Sequence, residues 1–304
     1  MSTPDRTPEN ISERPWSPAL ALHTWTLDTT PMAEVLAIAR ETGWDGVELR
    51  QVDFDRAAAS GVSLEDTVAA IRAAQVPVVT LGTRSGFLFA QGDERRALLA
   101  ALEASCRTAR ALGGPMLMTG PGQREASMRE AVAVLREAGD IVAGHGLRLA
   151  VEFSWMHPVL ASVPRLAELL DGAAHPACGA LLDTYHLQRS GRPGRGFGEI
   201  DGSRIFAVQY SDCATEATSD PKPPADRRLP GEGDVAWPEV FEALADAGYA
   251  GPLSCEAPNP ALWARDARHV AAEALAATRR VLAASRRPTP QRLTGAAGAA
   301  ADAR

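Results

Sequence analysis

Eight apolar runs of strand length, alternating with longer stretches that have helical spacing, constrain the fold of this chain more than any other feature. Strands joined through intervening helices pair in parallel, so repeated βα units dictate a parallel sheet with its helices outside. The strands are expected near Ala19–His23, Gly46–Arg50, Val76–Leu81, Pro115–Thr119, Leu147–Phe153, Cys178–Asp183, Arg204–Tyr210 and Pro252–Glu256. Amphipathic helical patterns fill the gaps at Met32–Glu41, Leu64–Ala74, Glu94–Leu112, Ser127–Ala143, Val163–Leu170, Trp237–Ala247 and Arg265–Ala284. Gly43, Gly113, Gly146 and Gly248 follow helical runs, where a left-handed cap residue belongs. Eight strands in this rhythm predict a closed (β/α)8 barrel, although a doubly wound open sheet shares the same local pattern.

One such barrel takes roughly 250 residues, and residues 18–285 are read as that single catalytic domain. Residues 1–17 are polar and Pro-rich, and 286–304 run from Arg, Pro and Thr into Gly and Ala. Neither buries enough apolar surface to offset its ordering entropy, so both are expected to be flexible tails. A net charge of −7 without a Lys/Arg-rich block argues against a nucleic-acid partner. Met1 to Pro15 lacks an apolar signal core, and no later run approaches the roughly 18 apolar residues of a membrane span, so no membrane partner is expected. Cys106, Cys178, Cys213 and Cys255 form no C-x-x-C pair and read as small core residues of a cytoplasmic protein. Nucleotide loops and the serine-hydrolase elbow have no match in strand-to-helix context. Two stretches break the rhythm: Arg189–Gly198 and the polar, Pro-rich Asp212–Gly233. On a barrel these would lie at the catalytic mouth as lids.

Four late segments each deliver a metal-binding side chain where an apolar run stops: Val-Glu152-Phe, Leu-Leu-Asp183-Thr-Tyr-His186, Val-Gln209-Tyr-Ser-Asp212 and Ser-Cys-Glu256. A parallel barrel gathers such strand ends at one mouth. Taken alone, any of the four is explained equally well as a helix cap or a surface group; together they point to a shared site. Three carboxylates and an amide oxygen suit a hard divalent ion, Mn²⁺ or Mg²⁺, better than a Cys-rich zinc site. Without a cation the carboxylates would repel, and one would take up a proton. Such an ion polarises a substrate carbonyl while a carboxylate removes the neighbouring proton, and proton abstraction next to a carbonyl is the favoured reaction class. His23, ending the first strand, and Trp155, just past Glu152, would wall the same pocket. Glu48 reads as a barrel-interior ion-pair or hydrogen-bond partner, and Asp212 as a loop cap or a support for Gln209.

From about His23 to Leu282 the sequence resembles the xylose isomerase-like TIM barrels, which include sugar isomerases and epimerases, inosose isomerases and dehydratases, and 3-dehydroshikimate dehydratases. The resemblance rests on Gly43-Trp-Asp-Gly-Val-Glu48-Leu, Val151-Glu152-Phe, Leu182-Asp183-Thr-Tyr-His186, Val208-Gln209-Tyr-Ser-Asp212, Arg228-Leu-Pro-Gly-Glu-Gly-Asp234 and Gly248-Tyr-Ala-Gly-Pro-Leu-Ser-Cys-Glu256. It implies one divalent metal ion held by Glu152, Asp183, Gln209 and Glu256, with Glu152 and Glu256 also serving as the acid/base pair. It implies further that His186 contacts substrate oxygen or assists proton transfer and that Arg228 reaches substrate oxygens. Many relatives carry His where this chain has Gln209, and the dehydroshikimate dehydratase branch resembles the Gln form. The expectation is a metal-dependent isomerase or epimerase of a small polyhydroxylated ketone or aldehyde, working through a metal-stabilised enediolate. A dehydratase of dehydroshikimate or inosose type on the same site is the alternative, and a non-catalytic ligand-binding or partner-subunit barrel is the other. The abasic-site endonucleases of the same fold need more histidines and a basic face. Relatives imply a homodimer or homotetramer.

Overall fold

The computed structural model describes residues 16–114 and 116–285. Every expected apolar run forms a strand: β1 (Leu20–His23), β2 (Gly46–Arg50), β3 (Val78–Gly82), β4 (Met116–Thr119), β5 (Arg148–Glu152), β6 (Cys178–Asp183), β7 (Ile205–Tyr210) and β8 (Leu253–Cys255). They pair in parallel in sequence order and β8 returns to β1, so the sheet is a closed barrel and the open alternative is excluded. Closure leaves no edge strand exposed.

The helices are α1 (Met32–Thr42), α2 (Gln51–Ala59), α3 (Leu64–Ala73), α4 (Gly92–Leu112), α5 (Met128–Gly144), α6 (Val163–Ala173), α7 (Thr184–Arg189), α8 (Trp237–Asp246), α9 (Pro260–Trp263) and α10 (Ala267–Ser285). Their boundaries follow local chemistry. The Ser127 hydroxyl accepts from the Glu130 N–H while Glu130 accepts from the Ser127 N–H, a reciprocal cap that starts α5. Gly43 ends α1 at φ 85°, a left-handed conformation that costs glycine nothing. The helices α2, α7 and α9 have no counterpart in the sequence reading. They are short, and α2 buries only Asp53 and Phe54, too few residues to give a helical period.

The tail segments 1–15 and 286–304 lie outside the described residues. Trp16, which the sequence reading placed in the first tail, docks on the barrel. Its Nε1 donates to the Tyr249 carbonyl at 2.7 Å and its ring lies 5.9 Å from that of Phe241. All four cysteines are free and buried. Burial pushes the Cys106 thiol up to about 11 and those of Cys178, Cys213 and Cys255 up to about 12. Among the described residues, no helix is long and apolar enough to cross a membrane.

Inside the barrel, Met116, Ala150, Leu181 and Ala207 form a small apolar cluster, separate from the main core between strands and helices. Strand side chains alternate, so the next inward position lies two residues further along each strand. Those positions are Met118, Glu152, Asp183 and Gln209. On β5 to β7 a polar layer is therefore stacked on an apolar one, at the C-terminal end of the strands.

Candidate functional site

Asp183 closes β6 and caps α7: its Oδ1 accepts from the Tyr185 N–H at 2.9 Å. That cap starts the helix which carries His186 back over the mouth, where its Nε2 lies 3.5 Å from Glu152 Oε1. Ligand atoms of Glu152, Asp183 and His186 all lie within 4.8 Å of one another. Gln209 is the register partner of Asp183 on β7. Its Nε2 donates to Glu48 Oε1 at 2.8 Å, and its Oε1 has no partner. Glu256 follows β8, with its Oε2 2.9 Å from Arg227 Nη1 and its Oε1 3.3 Å from His23 Nε2.

The electrostatics of this layer are those of carboxylates taken out of water. Burial pushes the Glu152 carboxyl well above its usual range, and the charges of Glu256 and Asp183 push it further. Burial raises Glu256 to about 8 in spite of Arg227, and it also raises Asp183, although Arg227 and the Tyr185 N–H pull the other way. Burial takes Glu48 up to about 7. For His23, burial and then the charges of Arg50 and Arg227 lower the pKa; for His186, burial and then Arg227 do so. Both imidazoles are therefore neutral and can act as ligands or hydrogen-bond donors.

Glu152 Oε1, Gln209 Oε1 and His186 Nδ1 are buried without hydrogen-bond partners. Each such group costs about 1–3 kcal/mol if left unpaired. Orphaned acceptors among carboxylates that would otherwise hold protons fit a divalent cation, through oxygen donors and one imidazole.

The site departs from the sequence reading at the arginine. The chain pairs Asp212 and Arg228 in an antiparallel bridge, with N–H···O distances of 2.9 and 2.7 Å. Successive side chains of an extended segment point to opposite sides, so Arg228 faces outward, exposed, and donates to the Glu232 carbonyl at 3.0 Å. Its neighbour Arg227 is the one among the carboxylates. Arg227 is 1% exposed, and its Nη1 lies 2.6 Å from Asp183 Oδ2. The carboxylates hold its charge firmly on against the effect of burial, and it stacks on the Tyr185 ring at 4.3 Å. Two adjacent arginines in a loop of unknown register carry no signal that separates them.

The connection 212–233 is fastened rather than structureless. Asp212 accepts from the N–H groups of Cys213 (2.9 Å), Gly231 (2.8 Å) and Val235 (3.1 Å) and from Trp237 Nε1 (2.9 Å). A Cβ on Gly233 would stand 2.3 Å from Asp212 Oδ1, so only glycine fits there. Asp212 therefore caps the loop, with its carboxylate bonds going to the loop and to Trp237. Asp226 fixes the other end, accepting from Tyr185 Oη at 2.7 Å and Arg189 Nη2 at 2.6 Å.

His23 is a support for Glu256. Its Nδ1 accepts from the Trp25 N–H at 3.1 Å, so the neutral ring carries its proton on Nε2, facing Glu256 and Glu48. Trp155 is partly buried, with its Nε1 unpartnered. His157, which the sequence reading did not single out, ties the rim together. Its Nε2 reaches the Arg124 carbonyl at 2.9 Å and its Nδ1 accepts from the Leu160 N–H at 2.9 Å.

Comparison with known proteins places this geometry in context. A family model described as xylose isomerase-like TIM barrel matches residues 36–281. An inosose isomerase of Halalkalibacterium halodurans is 22% identical over 243 residues, 77% of this chain and 86% of that protein. A 3-dehydroshikimate dehydratase of Pseudomonas putida is 32% identical over 144 residues, 46% of this chain; the match spans only 22% of that protein's length. The crystal structure of the IolI protein with a binding zinc atom superposes with a TM-score of 0.78 at 20% identity, over 88% of this chain and 99% of that one.

Proposed function

Because the chain belongs to the xylose isomerase-like TIM barrel family, we propose that it is a divalent-metal-dependent isomerase or epimerase of a small polyhydroxylated ketone or aldehyde. The observation that carries this reading is the pair of unpartnered buried oxygens, Glu152 Oε1 and Gln209 Oε1, in a mouth crowded with carboxylates. Glu152, Asp183, Gln209 and Glu256 would hold the ion, with His186 within reach of the same place. The zinc of the IolI structure supports a divalent ion there, and Mn²⁺ or Mg²⁺ suits the oxygen donors best. When bound, such an ion polarises the substrate carbonyl and acidifies the neighbouring C–H.

The chain's own groups do the rest. Glu152 on β5 and Glu256 after β8 approach from different sides of the mouth, one to take the proton and the other to return it. Neutral His186 donates to or accepts from a substrate hydroxyl. Arg227, held in place by Asp183, Glu256 and the Tyr185 ring, offers its remaining N–H groups to substrate oxygen.

The charge balance favours an uncharged substrate. Arg227, Arg189 and part-buried Arg50, the guanidiniums beside the mouth, are already paired, with Asp183 and Glu256, with Asp226, and with Asp28 and Asp53 respectively. A carboxylate-bearing substrate such as 3-dehydroshikimate would find no buried counter-charge there. The inosose isomerase likeness, which spans most of both chains, points the same way.

Proton NMR in D₂O of the Mg²⁺-loaded protein with ketoses, inososes and 3-dehydroshikimate tests the proposal. Loss of the signal next to the carbonyl, with an isomer or epimer as product, is the expected outcome. An unsaturated product would install the dehydratase in its place, and no exchange with any of them would favour a barrel that binds without catalysing.

A further inference from the structure

We propose that Glu48 is a positioning residue that makes Gln209 an oxygen ligand, by holding the nitrogen end of its amide away from the ion. This rests on the reading of the mouth as a divalent-metal site. Gln209 and Glu48 are 0% and 1% exposed, and they stand on β7 and β2, with β8 and β1 between them in the sheet. Their 2.8 Å hydrogen bond therefore crosses the barrel interior.

An amide has two chemically opposite ends, and nothing in Gln209 itself chooses between them. Turned one way it offers a carbonyl oxygen to a cation; turned the other it offers an NH₂ group that repels one. The Glu48 Oε1 that meets the amide also faces the His23 Nε2–H, which marks it as an acceptor and so as the partner of the NH₂ end. The carbonyl oxygen is then left pointing away from Glu48, buried and without a partner. His23 reinforces the arrangement. With its Nδ1 occupied by the Trp25 N–H, its Nε2–H faces Glu256 Oε1 at 3.3 Å and Glu48 Oε1 at 3.8 Å. Glu48 Oε1 thus meets donors from two residues, and the Ser254 hydroxyl lies beside the same carboxyl. An imidazole ligand would not need this device, because a ring nitrogen coordinates once the other carries the proton. The dependence on Glu48 follows from having glutamine at position 209.

The test is a double-mutant cycle on Mn²⁺ affinity by calorimetry, using wild type, E48Q, Q209A and E48Q/Q209A. Metal-free thermal unfolding checks that each variant folds. A glutamine at position 48 can donate to the Gln209 carbonyl and let the amide turn over. We expect E48Q to weaken Mn²⁺ binding by about 10- to 100-fold, the range seen when a ligand's support is lost. We expect the same substitution in the Q209A background to change affinity by less than about threefold, because Glu48 would then have no ligand to orient. Equal affinity of E48Q and wild type overturns the inference, as does a loss of the same size in both backgrounds. A wild type that binds no divalent ion overturns this inference and the metal-site reading together, so the two failures are distinguishable. If E48Q does not fold, Glu48→Ala removes the acceptor and leaves the Gln209 amide free to turn. A loss of at least threefold that vanishes in Q209A supports the inference, and an affinity equal to wild type overturns it.

Discussion

The two arcs of the barrel mouth are built alike and equipped differently. Along β5 to β8 the strand ends carry Glu152, Asp183, Gln209 and Glu256, with Arg227 bridging Asp183 and Glu256 and His23 supporting Glu256. Along β3 and β4 they carry Gly82, Thr83, Thr119 and Gly120. The threonine hydroxyls turn back to main-chain carbonyls, Thr83 to Met118 at 3.0 Å and Thr119 to Gly120 at 3.3 Å. A Cβ on Gly120 would lie 3.6 Å from Glu152 Oε2 and from Ser85 Oγ. The same backbone thus brings a residue to the mouth at every strand end, and residue choice divides the mouth into an arc that binds charge and an arc that leaves room beside it. A substrate on the open side would lie against Glu152.

The largest effect is expected where the equipped arc is disarmed. Glu152→Gln should lower kcat by about 10³-fold, the usual contribution of an acid/base group, while Thr119→Val on the other arc leaves kcat nearly unchanged. Assays on the substrate found by deuterium exchange measure both, and equal losses would erase the distinction between the arcs. Next comes the adjacent arginine pair. Arg227→Ala strands buried Asp183 and Glu256 and should cost about 3 kcal/mol, whereas Arg228→Ala should stay within about 0.5 kcal/mol. Urea unfolding reads both, and added Mn²⁺ should restore part of the Arg227→Ala loss by mass action.

A smaller effect sharpens the role of the open arc. Gly120→Ala meets its neighbours at ordinary contact distance, so stability should hold to within about 0.5 kcal/mol. Substrate KM should nevertheless rise severalfold, because the methyl group takes space beside Glu152. An unchanged KM would move the substrate elsewhere. The smallest effect lies outside both arcs. Burial alone would raise the Asp28 carboxyl, but hydrogen bonds from Arg56 and Arg50 outweigh it and leave the pKa below its ordinary value. The folded state therefore binds this proton less readily than the unfolded one. The stabilisation is complete above the ordinary carboxylate pKa and disappears as pH falls through the lowered value. The stability gap between wild type and Asp28→Asn should be constant above the ordinary carboxylate range and narrow as pH falls through and below it. A gap that persists into acid would mean that packing, not charge, holds Asp28.

The barrel was legible in the sequence because its signals are local and repeated. Apolar runs such as Cys178–Asp183 and Gly46–Arg50 mark strands by composition and by where they stop, and capping glycines such as Gly43 mark helix ends. The strand-end residues were legible for the same reason. What escaped depends on register across space. Arg227 and Arg228 differ only in which one faces inward, and the bridge between Asp212 and Arg228 decides that. The pairing of Glu48 with Gln209 spans 161 positions of sequence. The pinning of Asp212 by four donors turns an apparently loose loop into a fixed one, and the helix α2 is set by its position after β2 rather than by an apolar stripe.

The four buried thiols have a practical consequence. Each is buried, so the rate at which it takes up a thiol dye becomes a clock for the opening of its surroundings. Cys213 and Cys255 adjoin Asp212 and Glu256, whereas Cys106 lies in α4 and Cys178 starts β6 at the far end from the mouth. One labelling time course on the unmodified chain, read by peptide mass, would tell whether the mouth loosens ahead of the rest or the barrel opens all at once.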